Sequence, residues 1–242
     1  MKLSLILLRH DIREELFKLT ANAVKTLNAD ENILIDNGSS FGQVLNWADV
    51  EVRNKTNIGY PAAVNQGFKL ATGDFIAVAN NDIRVLGNWR EAVEDVFNSD
   101  KIGKEIGSLH FRMVNYDSPM QAGYNTWETG KERWCSASFY VIRREALQFY
   151  DENYKEGGYD DWDFFYRLRK RGFLTAYTTK SCYQHKHSST YIAMDDGNSR
   201  KARDQKNREY FKSKFGGYAE DLFALSYPDQ VKEDYYGFFN TL

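Results

Sequence analysis

The chain has 242 residues, 42% of them hydrophobic and 15% aromatic, which is enough to bury a sizeable core. A formal net charge of −2 gives no reason for a polyanionic partner, so no nucleic acid partner is indicated. Neither cysteine, Cys135 or Cys182, lies in a CxxC or other metal spacing, which points to reduced structural thiols in a cytoplasmic protein.

Lys2–Leu8 is an apolar run that breaks into Arg9, His10 and Asp11 without a small-residue cleavage site, so it reads as a first strand rather than a signal peptide. Asp11 can cap a following helix, in which Leu16, Leu19, Ala23, Val24 and Leu27 recur at helical spacing. Ile33–Ile35 is a second strand, closed by the turn cluster Asp36–Ser40, and Val50–Val52 is a third. Pro61 opens a helix that runs to Leu70, where its missing N–H is tolerated, and Thr72–Asp74 stops it before a strand at Phe75–Ala79. The alternation of strand and helix patterns predicts a parallel sheet with right-handed crossovers. Ligands bind outside the carboxyl ends of such strands, which puts Asp36 and Asn80–Asp82 on one edge. Further strands are predicted at 105–114, 134–142 and 173–178, and helices at 160–171 and around 194–213. No apolar run is long enough to span a bilayer, and peripheral contact with a membrane stays open.

Asn80, Asn81 and Asp82 end a strand that is apolar along its length. All three residue types favour turns, which is one reading. The other is that Asp82 holds a divalent cation, because a carboxylate at a buried strand end needs a partner and hard cations take oxygen ligands. On a helical wheel Asp161 shares a face with Phe164, Phe165 and Leu168. Asp163 falls on another face with Arg167 and Lys170, as an ordinary solvated pair four residues apart. An inward carboxylate at a helix start is a candidate base. His185 and His187 follow the next strand, and one of them can complete a metal shell.

Taken in order, Ile35–Ser40 (IDNGSS), Asn57–Gly67 (NIGYPAAVNQG), Ala71–Asp74 (ATGD), Asn80–Asp82 (NND) and Asp160–Asp163 (DDWD), with Arg167 and Gly172, resemble family-2 glycosyltransferases of the GT-A fold. The resemblance covers roughly residues 2–190, and Tyr210–Gly216 (YFKSKFG) resembles a segment that follows the core in several members. It implies an α/β domain of GT-A type over 1–190, with a Rossmann-like, mostly parallel central sheet flanked by helices. Residues 191–242 would form a helical and aromatic extension packed on the same domain. It further implies a metal-dependent, inverting enzyme that moves a sugar from a UDP- or dTDP-sugar to a saccharide or other hydroxyl acceptor. Asp161 would be the base, with Asp160 the second choice. Asp82 and His185 would hold Mn²⁺ or Mg²⁺, and Asp36, Asn57, Gly59, Asn65, Asn80 and Asn81 would line the donor site. The sequence departs from the family at Leu8–Asp11, where a Thr/Ser-Tyr-Asn-Arg turn is usual. It departs also at Asn80, in place of the opening Asp of Asp-X-Asp, and at Asp160, in place of the commoner Glu.

The rival readings are a nucleotidyltransferase, a non-catalytic sugar-nucleotide-binding module and a retaining transferase. The first would want a Gly-rich basic loop after strand one, and Arg9–Glu15 has no glycine. Retention of both Asp82 and Asp161 argues against the second. The loop 115–133, with Tyr124 and Trp127, and the aromatic tail around Tyr235 are candidate acceptor surfaces or ordinary packing.

Overall fold

Side chains alternate across a strand, and in the computed structural model β1 (Leu3–Arg9) is buried on both faces. Leu3, Leu5 and Leu7 enter one apolar cluster, Ile6 and Leu8 another, so a layer of helices must cover each side of the sheet. The structure describes residues 1–43, 46–98, 105–115, 137–154, 157–186, 197–219 and 221–222. After β1 come α1 (Glu14–Thr26), β2 (Glu31–Asp36), β3 (Val50–Arg53), α2 (Tyr60–Leu70), β4 (Phe75–Asn80) and β5 (Ile83–Leu86). They are followed by α3 (Trp89–Phe97), β6 (Ile106–Asn115), β7 (Phe139–Arg143), α4 (Asp160–Lys170), β8 (Leu174–His185) and α5 (Gly197–Phe215). The first cluster holds Ala23 of α1 and Leu27 just after it, with Trp89, Val93 and Val96 of α3. The second holds Val64 and Phe68 of α2, Phe164 and Leu168 of α4, and Phe211 of α5. Gly67 brings α2 close to the sheet, since a Cβ there would lie 2.5 Å from the Ile6 side chain.

The sheet runs β3-β2-β1-β4-β7-β6-β8-β5. The pairs β3/β2, β2/β1, β1/β4 and β6/β8 are parallel, while β7 is antiparallel to both neighbours and β5 is antiparallel to β8. From β1 the chain steps outward to β2 and β3, then returns through α2 to β4 on the other side of β1. The direction of winding therefore reverses between β1 and β4, and the carboxyl ends of those two strands flank the crevice that such a reversal opens.

Several expectations needed correction. Residues 37–49 join β2 to β3 with no helix among the described residues, which interrupts the alternation. Asp11 does not cap α1; the cap position is Arg13, and the Asp11 carboxylate turns into the interior. β5 and α3 were not anticipated, although Trp89, Ala92, Val93, Val96 and Phe97 carry helical spacing and Asn88 caps them by accepting the Glu91 N–H. β8 runs well past residue 178: its register against β6 jumps from Thr178 to Cys182, and this irregularity carries the strand on to His185. Cys182 is a half-buried free thiol; Cys135, His187, Tyr124, Trp127 and Tyr235 lie outside the described residues. Among the described residues no helix is long and apolar enough to cross a membrane.

Candidate active site

The carboxyl end of β2 is built around a neutralised acid. Asp36 is 1% exposed; it accepts the Ser39 N–H at 2.8 Å and lies 3.4 Å from Arg9 Nη2 and 3.6 Å from Arg53 Nε. Beside it, Asn37 Nδ2 donates to Asn57 Oδ1 at 2.8 Å, and the Gly59 N–H donates to the same oxygen at 2.9 Å. Gly38, at φ +80°, lets the two loops touch: a Cβ there would stand 2.5 Å from the Thr56 carbonyl carbon. Asp36, Asn57 and Gly59 thus meet at one edge, with His10 at the end of β1 alongside. The His10 imidazole is held below its ordinary proton affinity by burial, which outweighs the Asn37 backbone and the Asp36 charge.

Two of the donor-site candidates turn elsewhere. Asn65 is buried and clamps the chain after β7: it donates to Tyr150 O at 3.0 Å and Glu152 Oε1 at 2.8 Å, and accepts the Tyr150 N–H at 2.8 Å. That segment has no regular structure, so its backbone groups need side-chain partners. Asn81 Nδ2 donates to Asp11 Oδ1 at 2.7 Å and to Thr20 Oγ1 at 2.9 Å. Burial drives the Asp11 carboxyl up to about 6, against the opposing pull of Arg9, Thr20 and Asn81. Asn81 therefore ties the end of β4 to α1.

Asp82 has the opposite orientation. Ile83 and His185 face each other across β5 and β8, which sets His185 Nε2 3.1 Å from Asp82 Oδ1. His185 Nδ1 lies 3.3 Å from Ser138 Oγ, and Ser138 O accepts the Asn80 N–H at 2.9 Å. Oδ1 of Asn80 is buried without a hydrogen-bond donor among the described residues, and Oδ1 of Asp82 is buried with His185 Nε2 at 3.1 Å but outside hydrogen-bond geometry. The buried Asp82 carboxylate beside an imidazole is a pair of donors that fits a divalent cation, and Asn80, with its Oδ1 unsatisfied among the described residues, ends β4 just before it. Among the described residues no group of three or more His, Cys, Asp or Glu converges.

The start of α4 supplies the acids. Gly157, Gly158 and Tyr159 have φ of 79°, 89° and 65°, a run of left-handed residues that turns the chain into the helix. Asp160 is 4% exposed, whereas Asp161 is half-buried and accepts the Trp162 N–H at 2.9 Å. Burial raises the proton affinity of both, and the Asp160 charge raises that of Asp161 further. Tyr60, on α2, couples electrostatically to both acids and donates to Ala137 O at 2.9 Å, one residue before Ser138. Tyr60 thus feels the acids and holds the chain beside Ser138, whose hydroxyl lies near His185. The helical-wheel assignment was wrong for Asp163, which is fully buried. Arg167 Nε lies at 2.5 Å, Lys214 Nζ at 2.6 Å and the Tyr154 hydroxyl at 3.3 Å. It is inward because α5 covers that face of α4. Ser138 had no signal in the sequence, and Tyr60 and Lys214 lie in segments that carried the resemblance without being assigned a role, since their roles depend on contacts from distant elements.

The family described as Glycosyl transferase family 2 is matched over residues 10–150. No curated protein of similar sequence was found. Among solved structures, GalNAc-T7 with UDP, GalNAc and Mn²⁺ superposes with a TM-score of 0.57 at 15% identity, over 76% of this chain and 44% of that one. S. aureus TarS 1–349 with UDP-GlcNAc gives 0.55 at 16% identity, over 96% and 78%. The mannosyltransferase PcManGT from Pyrobaculum calidifontis, with GDP-Man and Mn²⁺, gives 0.53 at 13% identity, over 80% and 59%. The chain thus spans less than half of the GalNAc-T7 chain, and these likenesses show a shared GT-A fold: a mostly parallel sheet between helices.

Proposed function

The chain belongs to glycosyl transferase family 2, and from that premise we propose that it transfers a sugar from a nucleoside-diphosphate donor to an acceptor hydroxyl with inversion. Residues 1–190 would form the transferase domain and 191–242 its extension. The observation that carries the reading is the Asp82–His185 pair, 3.1 Å apart at the strand edge where the winding reverses. Asp82 and His185 would hold Mn²⁺ or Mg²⁺, with the buried Asn80 Oδ1 beside them. When bound, the cation would supply Lewis-acid stabilisation of charge on the departing diphosphate.

The protein's own groups do the rest. Asp161, the more accessible of the paired acids, takes the proton from the acceptor hydroxyl as that oxygen bonds to the anomeric carbon. The bond from that carbon to the diphosphate oxygen breaks on the opposite face, and its electrons leave with the nucleoside diphosphate. Charge on Asp160 would strengthen the hold of Asp161 on that proton. Asp36, Asn57 and Gly59 face the nucleoside. Because Asp36 is already paired with Arg9 and Arg53, it would act chiefly by holding the Asn37–Gly59 edge in place. By family resemblance we expect a uridine or thymidine donor. Calorimetry tests the reading: UDP should bind with Mn²⁺ present, and Asp82→Ala should abolish that binding while the fold persists. Undiminished affinity in the variant, or tighter binding of GDP than of UDP or dTDP, would overturn the assignment it addresses.

A further inference from the structure

α5 looks unremarkable as a sequence because it is polar around most of its circumference, yet one stripe of it meets the start of α4. Asp204, Asn207, Phe211 and Lys214 recur at spacings of three, four and three, which places them along one face. Asn207 Nδ2 donates to Gly157 O and to Gly158 O, each at 2.9 Å. Asp204 Oδ1 stands 2.7 Å from where a Gly158 Cβ would be. The fully buried Phe211 ring lies 6.5 Å from Tyr159 and 5.9 Å from Tyr166. Lys214 Nζ bridges Asp151 and Asp163, at 2.6 Å from each.

The left-handed run 157–159 cannot satisfy these carbonyls through α4 itself, and glycines leave many alternative backbones open. What selects this one is the stripe. We propose that α5 is a positioning helix: Asn207 and Lys214 fix the lead-in and first turn of α4, and so fix where the Asp160 and Asp161 carboxylates point. This rests on the reading that those acids perform the chemistry. Asn207 and Lys214 touch no reacting atom; they act through the backbone of 157–158 and through Asp163. The family match ends at residue 150, so this device lies outside the matched segment.

The experiment uses the full chain and the variants Lys214→Met, Asn207→Ala and Lys214→Arg, with Asp161→Asn as reference. Hydrogen–deuterium exchange should quicken about tenfold or more over 157–166 in the first two, and not across the sheet. Calorimetric affinity for UDP with Mn²⁺ should stay within about twofold of the parent, because the Asp82 edge is untouched. Release of nucleoside diphosphate from a mixture of UDP-, dTDP- and GDP-sugars should fall about 10–100-fold in kcat with KM unchanged, the size expected for a misplaced catalytic group. Lys214→Arg should recover most of the rate, since a guanidinium can also bridge two carboxylates. Unchanged exchange over 157–166, exchange quickened uniformly, or quickened exchange with unchanged kcat would each overturn the proposal. If the parent releases nothing from the mixture, the proposed activity fails instead, and the exchange pattern alone decides whether α5 holds the lead-in.

Discussion

Asn81 and Asp82 are chain neighbours that face different partners. Asn81 is spent on Asp11 and Thr20, while Asp82 looks at His185 across the strand edge. Asn81→Ala should therefore behave as a stability variant: it removes a donor from a buried carboxylate, at a cost of about 1–3 kcal/mol in urea unfolding. UDP affinity with Mn²⁺ should hardly change, and a large loss of affinity would return Asn81 to the donor site. Asp163 is the second residue whose role differs from its helical position. Asp163→Ala removes a fully buried carboxylate that holds Lys214, Arg167 and Tyr154, and should cost about 1–3 kcal/mol, read from the denaturant midpoint. A solvated pair would cost only a few tenths.

At the scale of the element, α4 gathers Asp160, Asp161 and Asp163 in its first turn. The helix dipole favours anions there, but burial opposes ionisation and prevails in Asp160 and Asp161. A base works when ionised. With its proton affinity raised, Asp161 should lose activity on acidification at a pH above the ordinary carboxylate range. Asp160→Asn removes the neighbouring charge, so the acid limb of kcat should move to lower pH. An unmoved limb in that variant would assign the titration to another group. In the sheet, β8 reaches His185 after its register against β6 shifts between Thr178 and Cys182.

Across the whole molecule, the ion cluster under α4 joins the chain after β7 to α5. Burial pushes the Asp151 carboxyl up, yet Lys214, the Asn153 N–H and the Tyr210 hydroxyl outweigh it and bring it to about 2. In the unfolded chain the same acid titrates near ~3.9. Its contribution to stability is therefore complete above that range and is lost as pH falls toward 2. Asp160 and Asp161 have the opposite sign: their raised affinity for protons stabilises the fold in acid, and that contribution is lost as pH rises through their shifted range. Thermal melts between pH 5 and pH 2 should show the Asp151 loss as a downward trend, and Lys214→Met should flatten it. An unaltered slope in that variant would place the acid sensitivity elsewhere.

The strands and helices up to β4 were legible because their cores are local patterns, whereas β5 and α3 were missed. Leu3–Leu8 is apolar on both faces, Leu16 to Leu27 follows helical spacing, and Pro61 and Gly73 punctuate α2. The strand edge was legible for the same reason, since Asp36 and Asp82 follow buried strands and must lie at their carboxyl ends. What a side chain does at that edge is set by what comes to meet it. Arg9 and Arg53 neutralise Asp36, Thr20 and Asp11 draw Asn81 inward, Tyr150 engages Asn65, and Lys214 buries Asp163 from 51 residues away. Periodicity carries no record of a partner brought from another element. The tertiary structure alone decided that Asp36 and Asp163 are paired with cations and that Asp82 meets a histidine.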